Sequence, residues 1–215
     1  MKLYSAPGTC ATAMHIVLEW IGKPYEVEHL DFAGMKSPEY LKLNPQGVVP
    51  TFVDQDGPLA EGLAILLRLV DQNPEAGVGP ATGEAGRDEM YQWLAYLSAT
   101  LHPFFWPYFM PGRYHADEAQ HGAVRQAAQE RVDVALTVID QHLEGKDWML
   151  GDKKSVVDAF LYPMAGWAYG FDKPTSAYPN VDRVIRQLAA DPAVQAVHAA
   201  QGTKAKVDLS QDTAA

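Results

Sequence analysis

Residues Asn44–Leu63 read NPQGVVPTFVDQDGPLAEGL, and the organisation of the chain follows from this stretch. Val48-Val49-Pro50-Thr51-Phe52-Val53 has the β-branched and aromatic content of a strand, with a proline near its front. Proline donates no ladder hydrogen bond, so it belongs at a strand start, an edge or a bulge. A cis Val49-Pro50 bond would turn the chain sharply before the strand. The backbone of Val49 would then face outward, free to pair with an extended peptide as an added strand does. Asp56-Gly57 is a hairpin signal, and Leu59-Ala60 reads as the short returning strand.

Glu61-Gly62 then opens an apolar helical run through Leu63, Leu66, Leu67 and Val70. Ala60 has no side-chain oxygen to cap that helix, so its first N–H groups lack an obvious partner. Exposed N–H groups at a helix start attract carboxylates. One segment thus offers a peptide-pairing edge and, one hairpin later, a carboxylate site, which together suit a short acidic peptide.

Working outward, Lys2-Leu3-Tyr4-Ser5 is a short strand ended by Pro7-Gly8. Cys10 to Ile21 reads as a helix, with Met14, Val17, Leu18 and Ile21 on one face and Gly22 as its stop. Tyr25 to Leu30 alternates as a second strand, parallel to the first if the helix is a crossover. Asp31 to Ser37 is a loop and Pro38 to Leu43 a short helix. The Gly- and Pro-rich segment from Asn73 to Gly86 marks a domain boundary, which divides the chain into 1–75, a linker at 76–86, a helical domain at 87–202 and a mobile polar tail at 203–215. In the helical part, Met90, Trp93, Leu94, Leu97 and Leu101 form one stripe, and Pro103, Pro107 and Pro111 kink or end that helix. Asp117 to Leu143 is a long helix, Ser155-x-x-Asp158 resembles a capping box before Ala159 to Tyr169, and two shorter helices flank Asp191-Pro192.

With 215 residues, 47% apolar and 20% charged, the composition is that of an ordinary globular protein. A net charge of −10 argues against a nucleic-acid partner, which needs clustered Lys and Arg. No apolar run approaches the roughly 20 residues of a membrane helix, and the polar N-terminus lacks signal-peptide character. A single cysteine excludes an intramolecular disulfide and suits a reducing compartment, so a cytoplasmic location is expected. The histidines show no metal-binding spacing and no nucleotide-binding glycine motif is present. Neither metal nor nucleotide is expected.

Cys10, in the first turn of its helix, would feel the positive end of the dipole, which lowers a thiol pKa. A small buried hydrophobe, the usual place of a lone cysteine, is the other reading the residues alone allow. Glu61 reads as a solvated first-turn acid, His102 as a core histidine, Trp167 as packing. Phe104 to Phe109 holds five aromatic residues in six, which suits either core or an apolar pocket wall.

Five motifs taken together resemble the glutathione transferase family, most nearly its bacterial beta class, which carries a cysteine where Cys10 stands. They are Pro7-Gly8-Thr9-Cys10, Asn44-Pro45-Gln46-Gly47 with Val49-Pro50, Glu61-Gly62, Leu101-His102, and Ser155-Val156-Val157-Asp158-Ala159. The likeness runs from Met1 to about Gly202. It implies a thioredoxin-like α/β domain followed by an all-α domain, a homodimer formed through the Ala60–Val70 helix and the helix from Gly86, and conjugation of glutathione to small hydrophobic electrophiles. Glutathione would lie along Val49 and Pro50, with its γ-glutamyl end at Glu61 and Gly62 and its glycyl carboxylate near Lys36. Cys10 and His102 would be catalytic, and Phe105, Trp106 and Trp167 would line the electrophile pocket. Cys10 is expected to form a mixed disulfide with glutathione. Disulfide exchange and a non-catalytic interaction protein are the other functions the likeness leaves open. Ala95, Thr100 and Phe160 depart from the residues the beta class often carries.

Overall fold

A computed structural model describes residues 1–209. Its N-terminal part is built on a four-stranded sheet: β1 (Lys2–Ser5), β2 (Glu26–His29), β3 (Thr51–Asp54) and β4 (Gly57–Ala60), in the spatial order β2-β1-β3-β4. β1 and β2 are parallel, joined across α1 (Thr12–Ile21), while β3 runs antiparallel to both β1 and β4. Tyr4 pairs with Thr51 and Thr51 with Ala60. The end of β1, the start of β3 and the end of β4 therefore lie at one edge of the sheet. α2 (Pro38–Leu43) is capped by Ser37, whose side chain accepts from Tyr40 N–H, and α3 (Gly62–Gln72) follows β4 directly. This is the βαβ-αββα order of a thioredoxin-like domain, as expected.

Two local expectations shift. Asp54 pairs with Gly57, so Gln55-Asp56 forms the hairpin turn and Gly57, with φ of 92°, begins the return strand; glycine accepts that conformation without steric cost. α1 begins at Thr12, which leaves Cys10 in the turn before the helix.

The remaining elements are helical: α4 (Arg87–Tyr96), α5 (His102–Phe109), α6 (His121–His142), α7 (Val156–Trp167), α8 (Pro179–Ala190) and α9 (Pro192–Gln201). α4 passes into α5 through a wide π turn at Leu97–Leu101. Pro103, which has no N–H to donate, sits just after it. α7 is the central helix, with every residue from Val156 to Ala165 buried. Its start is held by the capping box. Val157 N–H donates to Ser155 Oγ at 3.2 Å, and the Ser155 N–H and hydroxyl donate to Asp158 Oδ2 at 2.8 and 2.9 Å. Met149 N–H reaches Asp158 Oδ1 at 2.8 Å. Burial nevertheless pushes the Asp158 carboxyl up to about 6, against these hydrogen bonds.

Helices α1, α3 and α7 meet at Gly62. A Cβ there would lie 2.7 Å from Met14 Cε and 3.5 Å from the ring of Phe160. The segment after α9 departs from the expected mobile tail over 203–209. Val207 is buried, Ala205 and Leu209 pack on the core, the Thr203 hydroxyl meets His198 Nδ1 at 2.8 Å, and Arg186 donates to the Asp208 carbonyl at 2.8 Å. The rest of that expected tail, 210–215, lies outside the described residues.

Candidate active site

The bend before β3 is fixed from within. Tyr40 Oη and Asn44 Nδ2 both donate to the Val48 carbonyl, at 2.5 and 2.8 Å, and Asn44 also reaches Thr51 Oγ1 at 3.1 Å. The Val49-Pro50 bond is cis. Val49 lies outside β3, and its N–H and carbonyl have no protein partner among the described residues. Beside it, Lys36 Nζ donates to the Gly47 carbonyl at 2.8 Å and the Gln46 carbonyl at 3.3 Å. Val49 thus carries unpaired backbone groups, with a cation beside them.

After β4 stands the start of α3. Glu61 has φ of 68°, and it is the only non-glycine residue with positive φ among those described. Such a conformation is uncommon outside glycine and concentrates at functional positions. The Glu61 side chain does not cap the helix. It instead accepts from Gln46 Nε2 at 3.4 Å, and the first N–H groups of α3 remain open to a carboxylate.

The loop carrying Cys10 is gripped by the helical part of the chain. Trp167 Nε1 donates to the Gly8 carbonyl at 2.9 Å, and Gly8 N–H donates to Gln201 Oε1 at 3.4 Å. Gln201, itself buried, also accepts from the Thr12 hydroxyl at 3.2 Å. Thr9 closes the turn, its hydroxyl donating to the Ala6 carbonyl at 2.7 Å and accepting from Ala11 N–H at 3.3 Å.

Desolvation pushes the Cys10 thiol up to about 12, a rise that the N–H groups of Cys10 and Ala11 oppose and the Glu61 charge adds to. This runs counter to the expected low thiol pKa. Part of Cys10 remains exposed, but it stands two residues before the helix, and the dipole is weak against the loss of water. His102 has its pKa lowered by burial, against the Glu61 charge, so its ring is neutral at pH 7. That ring lies between Trp167, at 5.6 Å, and Trp106, at 6.0 Å. Phe105 is buried and meets Trp167 edge to face at 5.1 Å. It supports the tryptophan from behind and presents almost no surface, so it is not the pocket-lining residue expected from the sequence. Phe109 is half exposed and lies 5.6 Å from Trp167.

Residues 1–70 match the family model for the glutathione S-transferase N-terminal domain, and residues 88–192 match the model for its C-terminal domain. The chain belongs to the glutathione S-transferase family. It is 37% identical to glutathione S-transferase GST-4.5 of Xanthomonas campestris pv. campestris over 202 residues, spanning 94% of this chain and 99% of that protein. A sphingomonad glutathione S-transferase solved in complex with glutathione is similar at a TM-score of 0.83 and 36% identity, over 94% of this chain and 99% of the other. A bacterial beta class glutathione S-transferase of Sphingomonas chungbukensis is similar at 0.82 and 33%, over 94% and 99%.

Within this transferase the sites read from the sequence gather at one edge of the sheet: Val49 and Pro50 before β3, Glu61 and Gly62 after β4, and Cys10 beyond β1. Lys36 joins them through the Gly47 carbonyl, and Trp167 and His102 through Gly8 and the ring contact. Gln201 was not singled out from the sequence. A glutamine at the end of the last helix carries no local signal, and its role rests on contact with Gly8, 193 residues away. No group of three His, Cys, Asp or Glu side chains suited to a metal ion occurs among the described residues, and none of their helices is long and apolar enough to cross a membrane.

Proposed function

We propose that this glutathione transferase holds glutathione across the sheet edge and conjugates its thiol to small hydrophobic electrophiles. The observation that carries this is an unpaired Val49 backbone and an uncapped α3 start at the same end of the strands as the Cys10 loop. Val49 would pair with the cysteinyl backbone, Glu61 with the γ-glutamyl ammonium, the Gly62 N–H with the γ-glutamyl carboxylate, and Lys36 with the glycyl carboxylate. The glutathione sulfur then falls beside Cys10 and the neutral His102, which offers a hydrogen bond without adding charge. Trp106, Trp167 and Phe109 would receive the electrophile. Cys10 serves as a lining residue, because a thiol held near 12 is a poor partner for disulfide exchange.

The reading extends to a homodimer of the 23.6 kDa chain in the cytoplasm, assembled through α3 and α4. Leu63 and Leu67 are half-buried and Tyr91 is 40% exposed on these helices, apolar surface that a second copy would cover. Domain limits of 1–75 and 87–202 belong to the same reading. Calorimetry with glutathione, followed by a conjugation assay with 1-chloro-2,4-dinitrobenzene, tests the function. Glu61→Gln should weaken glutathione by ~1.5–3 kcal/mol through loss of a charge-assisted bond. A folded wild-type protein that takes up no glutathione would refute the proposal, and a monomer in light scattering would refute the dimer.

A further inference from the structure

The outer end of the aromatic wall carries a charge that conjugation of a neutral electrophile does not use. From the Cys10 loop outward, Trp167 stacks near His102 and His102 near Trp106. Arg113, in the turn at Pro111–Arg113 after α5, then sets its guanidinium carbon 5.7 Å from the centre of the Trp106 ring. The turn is fixed by Arg113 N–H donating to the Met110 carbonyl at 3.0 Å. Among the described residues Arg113 has no carboxylate within ion-pair distance. Asp117, the acid nearest in sequence, is engaged in capping Ala119 N–H at 3.0 Å. The chain carries 27 acids against 17 bases, so an exposed arginine without a carboxylate partner stands out against the net negative charge.

We infer that the cleft selects flat, conjugated electrophiles bearing an anionic group on the edge remote from the reacting carbon, and that Arg113 is the residue that reads that charge. The inference rests on the conjugation proposed above. The exposed part of Trp106 receives the flat ring beside the guanidinium, and the contact between guanidinium and indole holds the arginine in place. The planar guanidinium matches a carboxylate with two parallel N–H donors, which an ammonium does not. For an activated aryl chloride the step is a substitution. The glutathione sulfur bonds to the carbon carrying chlorine, the C–Cl bond breaks, chloride leaves with the electron pair, and the thiol proton passes to solvent. Arg113 takes no part in the bond changes.

The test compares 4-chloro-3,5-dinitrobenzoate with the neutral 1-chloro-2,4-dinitrobenzene, using the full chain. The readout is the ratio of kcat/KM for the carboxylate to kcat/KM for the neutral compound. In Arg113→Gln this ratio should fall roughly tenfold, mainly through KM of the carboxylate, as expected for loss of one charge-assisted bond. Arg113→Lys should retain part of the ratio. Added salt should lower it in the wild type toward the Gln variant, since exposed charges are screened. Arg113 is exposed, so its replacement leaves the core untouched. A ratio in Arg113→Gln within about twofold of wild type, with the neutral compound turned over, would mean that the arginine only covers Trp106 and would overturn this inference alone. A wild type that turns over neither compound would overturn the conjugation reading and this inference with it.

Discussion

Cys10 should be chemically quiet in the folded protein. Its thiol is held near 12 by desolvation, against about 8.5 for a free cysteine. At pH 7.5 roughly one free thiol in ten is ionised. The Cys10 thiolate would be on the order of one in 10⁴ to 10⁵, a reduction of about three orders of magnitude. Because only the thiolate attacks, alkylation by iodoacetamide should slow by a similar factor relative to the chain unfolded in urea. The protein has one cysteine, so a single mass shift by intact mass spectrometry reports the reaction without ambiguity. The native rate should still rise with pH beyond pH 10. Oxidised glutathione should add no glutathionyl mass at neutral pH, and Cys10→Ala should retain conjugation. Labelling within tenfold of the unfolded rate, or a pH profile that levels off below 8.5, would refute the argument and restore the exchange chemistry expected from the sequence.

Gly62→Ala should change stability by less than about 1 kcal/mol, because the atom 2.7 Å from the added carbon is the free end of Met14, a flexible side chain that can turn aside, and alanine is the better helix former. A loss of more than about 2 kcal/mol in urea unfolding would show that Met14 is locked in place. Ser155→Ala should cost about 0.5–2 kcal/mol at pH 7 through loss of the α7 cap, and the difference from wild type should shrink below pH 6. The reason lies in Asp158, whose folded pKa near 6 stands above the ordinary carboxylate value. Its stabilising contribution is complete below pH 4 and lost as pH rises through 6, and only its charged form needs the serine hydroxyl. Urea titrations across that range, with a pH-independent difference, would contradict this.

The parts of the site that were legible in advance are those set by neighbours in sequence. A proline at a strand entry, the Asp56-Gly57 pair, an uncapped helix start and Ser155-x-x-Asp158 each express local backbone chemistry, and each appears in the fold, with the hairpin one residue out of place. What was misread depends on distant partners. The dipole at the start of α1 is a local feature, but the water around Cys10 is removed by residues scattered along the chain, and that loss dominates its pKa. Phe105 and Trp106 are adjacent and equally apolar, yet Phe105 turns inward beneath Trp167 while Trp106 is 36% exposed. Adjacent helix residues point in different directions, and the packing of α5 against Trp167 decides which one is covered. The packing of Val207 after α9 was hidden for the same reason, since a single valine in a polar run makes no pattern.

The two backbone groups of Gly8 are satisfied by Trp167 and Gln201, from α7 and from the last residue of α9. During synthesis the sheet and α1 leave the ribosome first, well before the helices that supply these two partners. The loop that carries Cys10 must nevertheless wait for the final helix, almost the whole chain later, before its hydrogen bonds close. The loop is thus among the first segments to be made and the last to gain all its partners, and a chain clipped before Gln201 leaves the Gly8 N–H without its acceptor.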